Sequence, residues 1–205
     1  MSDTGGPFGT IRDALLLRRL RARDERAFEE MVVLYRDRVF GLILRMVGNR
    51  EEAEDLAQEV FITVLKSIDT FRGESKFSTW LYRIAANHTK NRMKYLQRRA
   101  YKTTSEYDEA TERAVQRGES PGAARAQNPE NAMAGAQIDR VVQGAIAELE
   151  EDHRELVVLR DMEEMSYEEI VAITGLNEGT VKSRLHRART ALKEIVQRRL
   201  QGEAK

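Results

Sequence analysis

No cysteine occurs in the 205 residues, which excludes disulfides, thiolate metal sites and cysteine nucleophiles together and is compatible with a reducing compartment. Proline occurs three times and aromatic residues make up 6%, against 33% charged residues, a balance that favours helices with wide solvated faces over sheet. No apolar run approaches the roughly 18 residues that span a bilayer, and the start MSDTGGPFGT lacks the basic and apolar segments of a signal peptide. The expected location is the cytoplasm, without membrane insertion. A surplus of one charge is missing too, since 34 Lys and Arg balance 34 Asp and Glu. The marks of an enzyme are also lacking. His88, His153 and His186 lie far apart with no paired ligand spacing, and the GGPFGT start precedes no strand. No catalytic residue, metal site or cofactor is expected, and the many carboxylates read as solvated helix faces.

What is present is helical periodicity. From Glu25 to Val47, Phe28, Met31, Val32, Tyr35, Val39, Leu42, Ile43 and Met46 recur at helical spacing, and VGNREEAED breaks and restarts the pattern. AEDLAQEVFITVLKSID then places Leu56, Val60, Phe61, Val64 and Ile68 on one half of a helical wheel. After the loop TFRGESKFS, TWLYRIAANHTKNRMKYLQRR resumes the period through Leu81, Ile84, Ala85, His88, Tyr95 and Leu96, with His88 read as a core histidine. Residues 1–24 form a tail and the start of a first helix, and 25–100 a helical domain. Residues 101–137 hold two prolines and few large apolar side chains, too few to offset chain entropy, and are expected to be a linker. Periodicity returns at Ile138 with Val141, Val142, Ile146 and Leu149, so 138–205 form a second domain. The expected fold is all-α, two small helical domains joined by a flexible linker.

The second domain contains a helix-turn-helix pattern. Ser166 with Glu169 three residues later is a capping-box signature, Gly175 suits the left-handed end of that helix, and Asn177 can cap the next. In the second helix Val181, Leu185, Ala188, Leu192, Ile195 and Val196 form one stripe, while Lys182, Ser183, His186, Arg187 and Lys193 project from the opposite arc. From Asn177 to Arg199 seven basic residues face two acids, a net of +5, beside a segment Glu148 to Glu169 with ten acids against two Arg. Such segregation is foreign to plain solvation and fits a helix that enters a DNA major groove.

The first domain has its own basic face. Arg83, Asn87, Lys90, Asn91, Lys94 and Arg98 share one side of their helix, and Trp80 to Arg99 contains six basic residues and no acid. Phe77 and Trp80 flank the preceding loop; alone they read as core, but beside amides and cations they suit an unstacked base of single-stranded DNA. The helix at 53–68 is opposite in character: Asp55 and Glu59 ring Ile62, an apolar residue on a polar face that can anchor a protein partner.

DLAQEVFITVLKSIDTFRGESKFSTWLYRIAANHTKNRMK resembles the second conserved region of bacterial sigma factors of the extracytoplasmic-function type, and LRDMEEMSYEEIVAITGLNEGTVKSRLHRARTAL resembles their fourth. The resemblance implies that Asp55, Gln58, Glu59 and Ile62 bind the clamp coiled coil of the β′ subunit of core RNA polymerase. It implies that Ser75, Lys76, Phe77, Ser78, Thr79, Trp80, Arg83, Asn87, Lys90, Asn91 and Lys94 recognise and help open the promoter −10 element, the loop 75–79 receiving a flipped base. Thr180, Lys182, Ser183, Arg184, His186 and Arg187 would read the −35 element, and the acidic start of the second domain would sit on the β flap. An anti-sigma factor, often membrane-anchored, is the implied regulator. Two positions depart from the pattern: Glu150 follows Leu149 where Pro is common, and Glu164 stands where Gly is common, although Glu tolerates positive φ poorly.

Two other readings compete. A dimeric helix-turn-helix regulator would bind a two-fold operator and self-associate, whereas a sigma factor reads an asymmetric promoter in a one-to-one complex with core polymerase. A helical adaptor that binds only proteins would show no DNA dependence on Arg187 or Lys90.

Overall fold

The computed structural model describes residues 11–106 and 129–203, and among these every regular element is helical. Helix α1 spans Ile11–Arg21, α2 Glu25–Val47, α3 Arg50–Ser67 and α4 Phe77–Glu106. Then come α5 at Pro129–Glu148, α6 at Glu151–Val157 running into a π turn at Val158–Met162, α7 at Tyr167–Thr174 and α8 at Glu178–Glu203.

Local chemistry sets the boundaries. Asp24 caps α2 by accepting from the amides of Arg26 and Ala27 at 2.9 and 3.3 Å, and Gly48, at φ 73°, ends it by donating to the Leu44 carbonyl. Asn49 begins α3 by accepting from the Glu52 amide at 3.0 Å. One Gly-Asn pair therefore stops one helix and starts the next, and α2 and α3 fold back on each other as an antiparallel pair. Helix α4 packs on both, burying Leu56, Val60, Val64, Leu81 and Ala85 between them.

Two features lie outside the expectation. The expectation for residues 1–24 is a tail and the start of a first helix; residues 1–10 lie outside the described residues, and α1 is a separate helix that buries Leu16, Leu17 and Leu20 against α2. Its own LLLRRL spacing carried that signal. The range expected as linker holds helix at both ends, since α4 continues to Glu106 and α5 begins at Pro129. Proline at the first helical position loses no hydrogen bond, and the Ala and Gln that follow propagate helix well. The rest of that range lies outside the described residues.

In the second domain α5 and α6 pack on α8, with Val141, Ile146, Leu149, Leu156, Ile170, Val181 and Leu185 buried. The turn before α7 keeps the left-handed residue expected for Gly: Glu164 adopts φ 54°, while the Met165 amide donates to Leu159 at 3.1 Å. The two domains touch. Buried apolar side chains of both form one continuous cluster, with α7 against α4 and the π turn against α2.

Candidate nucleic-acid interface

The helix-turn-helix forms as its sequence dictates. The Ser166 hydroxyl accepts from the Glu169 amide at 3.2 Å, and the Glu169 carboxylate accepts from the Ser166 amide at 2.9 Å, closing the capping box. Gly175 ends α7 at φ 72°, and Asn177 accepts from the Thr180 amide at 2.8 Å to start α8. Val181, Leu185 and Ala188 are buried beneath α8, which leaves Lys182, Ser183, His186 and Arg187 exposed along its outer arc. Lys182 pairs with Glu178 at 2.5 Å and its ammonium lies 5.2 Å from the Tyr167 ring. Both contacts are local to the motif and leave the arc accessible. Arg184 is different: its guanidinium donates to Asp152 at 2.7 Å, which ties α8 to α6. Arg189 likewise pairs with Asp161 of the π turn.

The basic face of α4 is built on an aromatic cluster. Phe77 packs edge-on to Phe71 and Tyr35 at centroid separations of 5.8 and 5.7 Å, and Trp80 lies 5.3 Å from Phe71. Phe77 is therefore inside the core, whereas Trp80 is half-buried beside it. The Arg21 guanidinium donates to the Phe71 carbonyl at 2.6 Å, and Arg23 pairs with Asp69 at 2.7 Å, so the end of α1 fixes the segment that leads into the loop. Neither arginine was singled out from sequence. Arg83, Asn87, Asn91 and Lys94 are exposed along α4, and Ser75 and Ser78 are half-buried.

Three members of that face are not free. Lys90 donates to Glu155 at 2.9 Å, Lys76 pairs with Glu169 at 3.2 Å, and Thr79 is only 4% exposed. Both carboxylates belong to the second domain. Beside them Arg45 of α2 pairs with Glu163 at 2.8 Å, and Arg154 of α6 donates to the Met46 carbonyl at 2.6 Å. Burial pushes the carboxyl groups of Glu155 and Glu163 above the usual carboxylate range, against the pull of Lys90 and Arg45. Burial also pushes the Tyr82 hydroxyl up to about 12. A polar cavity of about 200 Å³ remains at this junction, lined in part by Arg38, Lys76, Tyr82 and Glu163. Sequence reasoning took the acids as solvated. An available signal was Glu155 in RELVVL, an acid within an apolar stripe, which needs a buried cation.

On α3, Asp55, Gln58, Glu59 and Ile62 lie together on the outer surface, and Ile62 is 50% exposed. Glu59 is held by Arg92 of α4 at 3.0 Å, and Arg92 also reaches Glu52. His88, expected in the core, is half-buried between α3 and α4, its Nε2 3.1 Å from the Thr63 hydroxyl. Among the described residues no group of His, Asp and Glu could hold a metal ion, and no helix is long and apolar enough to cross a membrane.

Comparison with known proteins follows the same two-part division. A family model for sigma-70 region 2 matches residues 31–99, and one for sigma-70 region 4 matches residues 139–192. The RNA polymerase sigma-H factor of Pseudomonas aeruginosa is 38% identical over 185 residues, covering 90% of this chain and 94% of its own. The ECF RNA polymerase sigma-E factor of Escherichia coli K12 is 39% identical over 188 residues, covering 91% and 95%. Among solved structures, the sigma factor RpoE of Bartonella quintana, in complex with the anti-sigma factor NepR, superposes with a TM-score of 0.63 at 24% identity, covering 83% of this chain and 96% of its own. CnrH, in complex with the cytosolic domain of CnrY, gives 0.61 at 22% identity, covering 89% and 96%. The identities of these two support the fold alone.

Proposed function

This chain belongs to the extracytoplasmic-function (ECF) family of RNA polymerase sigma factors, and we propose that its two domains divide promoter recognition between the basic faces of α4 and α8. It is an alternative sigma factor that binds core RNA polymerase and directs promoter-specific transcription initiation. The observation that carries this function is the identity of 38–39% to sigma factors across nine tenths of the chain, spanning both regions in order.

In this reading Thr180, Lys182, Ser183, His186 and Arg187 approach the −35 element through the major groove. Arginine and lysine there reach guanine edges and phosphates. Arg184, held by Asp152, orients α8 and contributes charge from its flank. Arg83, Asn87, Lys90, Asn91 and Lys94 follow the non-template strand of the −10 element, and the segment Ser75 to Thr79, which enters α4 at the buried Phe77 beside Trp80, receives an unstacked base. Asp55, Gln58, Glu59 and Ile62 dock on the β′ clamp coiled coil, an apolar anchor ringed by polar groups, and the acidic start of the second domain meets the β flap. An anti-sigma factor is the proposed regulator, and the cytoplasm the place of action. A one-to-one complex with core polymerase, measured by titrating labelled protein and following sedimentation, is the expected result. Self-association into dimers with a two-fold symmetric footprint would overturn the reading in favour of an operator-binding regulator.

A further inference from the structure

Helix α4 carries cations on two sides. At about 100° per residue, Arg92 lies half a turn around the helix axis from Arg83, away from the side assigned to the promoter strand and against α3. Its guanidinium is spread as a fork over two carboxylates of α3: one nitrogen donates to Glu52 at 3.1 Å and another to Glu59 at 3.0 Å. Glu52, Asp55 and Glu59 fall at steps of three and four, so these acids share one side of α3 and repel one another. Arg92 draws in Glu52 and Glu59 from the flank. Glu59 gives it one oxygen only. The other oxygen lies 3.7 Å from Nδ1 of His88, beyond hydrogen-bonding distance, and the side chain stays 47% exposed. Glu59 is therefore held in place yet still able to accept from outside, since a carboxylate has room for several donors.

We propose that Arg92 is a positioning residue of the polymerase-docking face: from the far side of the strand-reading helix it holds Glu59 in the orientation in which a cation of the partner meets it, and it offsets the repulsion along α3 that would splay the acids. The inference rests on the reading of Asp55, Gln58, Glu59 and Ile62 as the surface that binds the β′ clamp. A free glutamate loses rotamer freedom when an interface closes over it, whereas one already held by a planar fork has lost that freedom beforehand. Arginine suits this role and lysine does not, because a point charge on a flexible stem cannot hold two carboxylates in fixed directions. Helix α4 then has two duties on opposite sides, strand contact through Arg83 and Asn87 and support of the polymerase face through Arg92.

The test is a double-mutant cycle, read as the equilibrium affinity of the fluorescently labelled full chain for sigma-free bacterial core polymerase. Arg92→Met keeps an unbranched stem and removes the fork, and is expected to weaken binding about fivefold, the cost of fixing one rotamer-rich side chain. In a Glu59→Ala background the same substitution is expected to change affinity by less than about twofold, because a residue that acts through Glu59 then has nothing to position. Arg92→Lys keeps the charge and is expected to recover only part of the loss. An unchanged affinity in Arg92→Met would overturn the inference, and so would a raised one, which would make Arg92 a competitor of the partner for Glu59. A loss that persists in full beside Glu59→Ala would overturn it as the mark of a general structural effect, and complete recovery by lysine as the mark of net charge alone. Asp55→Ala with Ile62→Ala separates this failure from that of the docking face. If that pair weakens binding while Arg92→Met does not, the face stands without Arg92; if neither weakens binding, the face lies elsewhere and the inference falls with it.

Discussion

Helices α4 and α8 both carry lysine and arginine on their outer faces, α4 with asparagines and α8 with Ser183 and Thr190 beside them, but they stand in different company. The arc of α8 faces solvent, its Lys182 held by Glu178 one turn away and by the Tyr167 ring. Exposed pairs of that kind are weak and break readily when a phosphate approaches. The face of α4 is partnered across the domain boundary, with Lys90 three-quarters buried against a carboxylate that is itself almost wholly buried. The difference shows that composition decides what a face can bind, whereas tertiary partners decide whether it is available.

The sharpest way to break the comparison is at α8. Lys182→Glu combined with Arg187→Glu reverses two cations on the accessible arc, and at about 1–3 kcal/mol per lost contact it should reduce −35-dependent transcription at least about thirtyfold. Core polymerase binding should stay intact, and unchanged transcription would remove the assigned face.

Next in size is Lys90→Ala. It leaves the Glu155 carboxylate buried without its cation, and should lower stability towards denaturant by about 3 kcal/mol, less any part recovered by domain separation. Arg83→Ala, on the exposed part of the same helix, should lower transcription with little change in unfolding midpoint. Equal midpoints for the two variants would erase the contrast between covered and open positions.

A smaller effect is expected on α3. Replacing Asp55 and Ile62 together by Ala should weaken core polymerase binding about tenfold without altering thermal stability, since both side chains are on the surface. An unaltered affinity in a binding titration would move the interface elsewhere.

The smallest effect concerns Glu164, held at φ 54°. A left-handed conformation costs a non-glycine residue about 1–2 kcal/mol, and glycine returns about 0.5–1 kcal/mol of that as chain entropy. Glu164→Gly should therefore raise stability by about 0.5–1 kcal/mol, readable as a higher denaturant midpoint, without changing either basic face.

Local structure was legible because its causes are local. The bounds of α2, the capping box at Ser166 and Glu169, and the left-handed Gly175 follow from residues within a few positions of one another, and all are present. The aromatic reading was also decidable: Phe77 is core, as its type alone favours, while Trp80 stays half-buried. Helix α1 was missed because a short basic segment with a few leucines resembles a tail until α2 supplies a surface to bury them. The domain contact was not legible at all. Arg45 and Glu163 are 118 positions apart, and helical periodicity says which face of a helix is polar but not which other face it meets. Glu155 was the exception, since an acid inside an apolar stripe announces a buried partner without naming it.

The most direct test of the central claim is transcription from mapped starts: the purified protein is added to sigma-free bacterial core polymerase on a genomic-fragment library from its source organism. The account predicts discrete start sites that share two upstream motifs, near −35 and −10, with the starts lost when Lys182 and Arg187 are reversed in charge. The absence of specific starts, together with a symmetric footprint made by the protein alone, would contradict it.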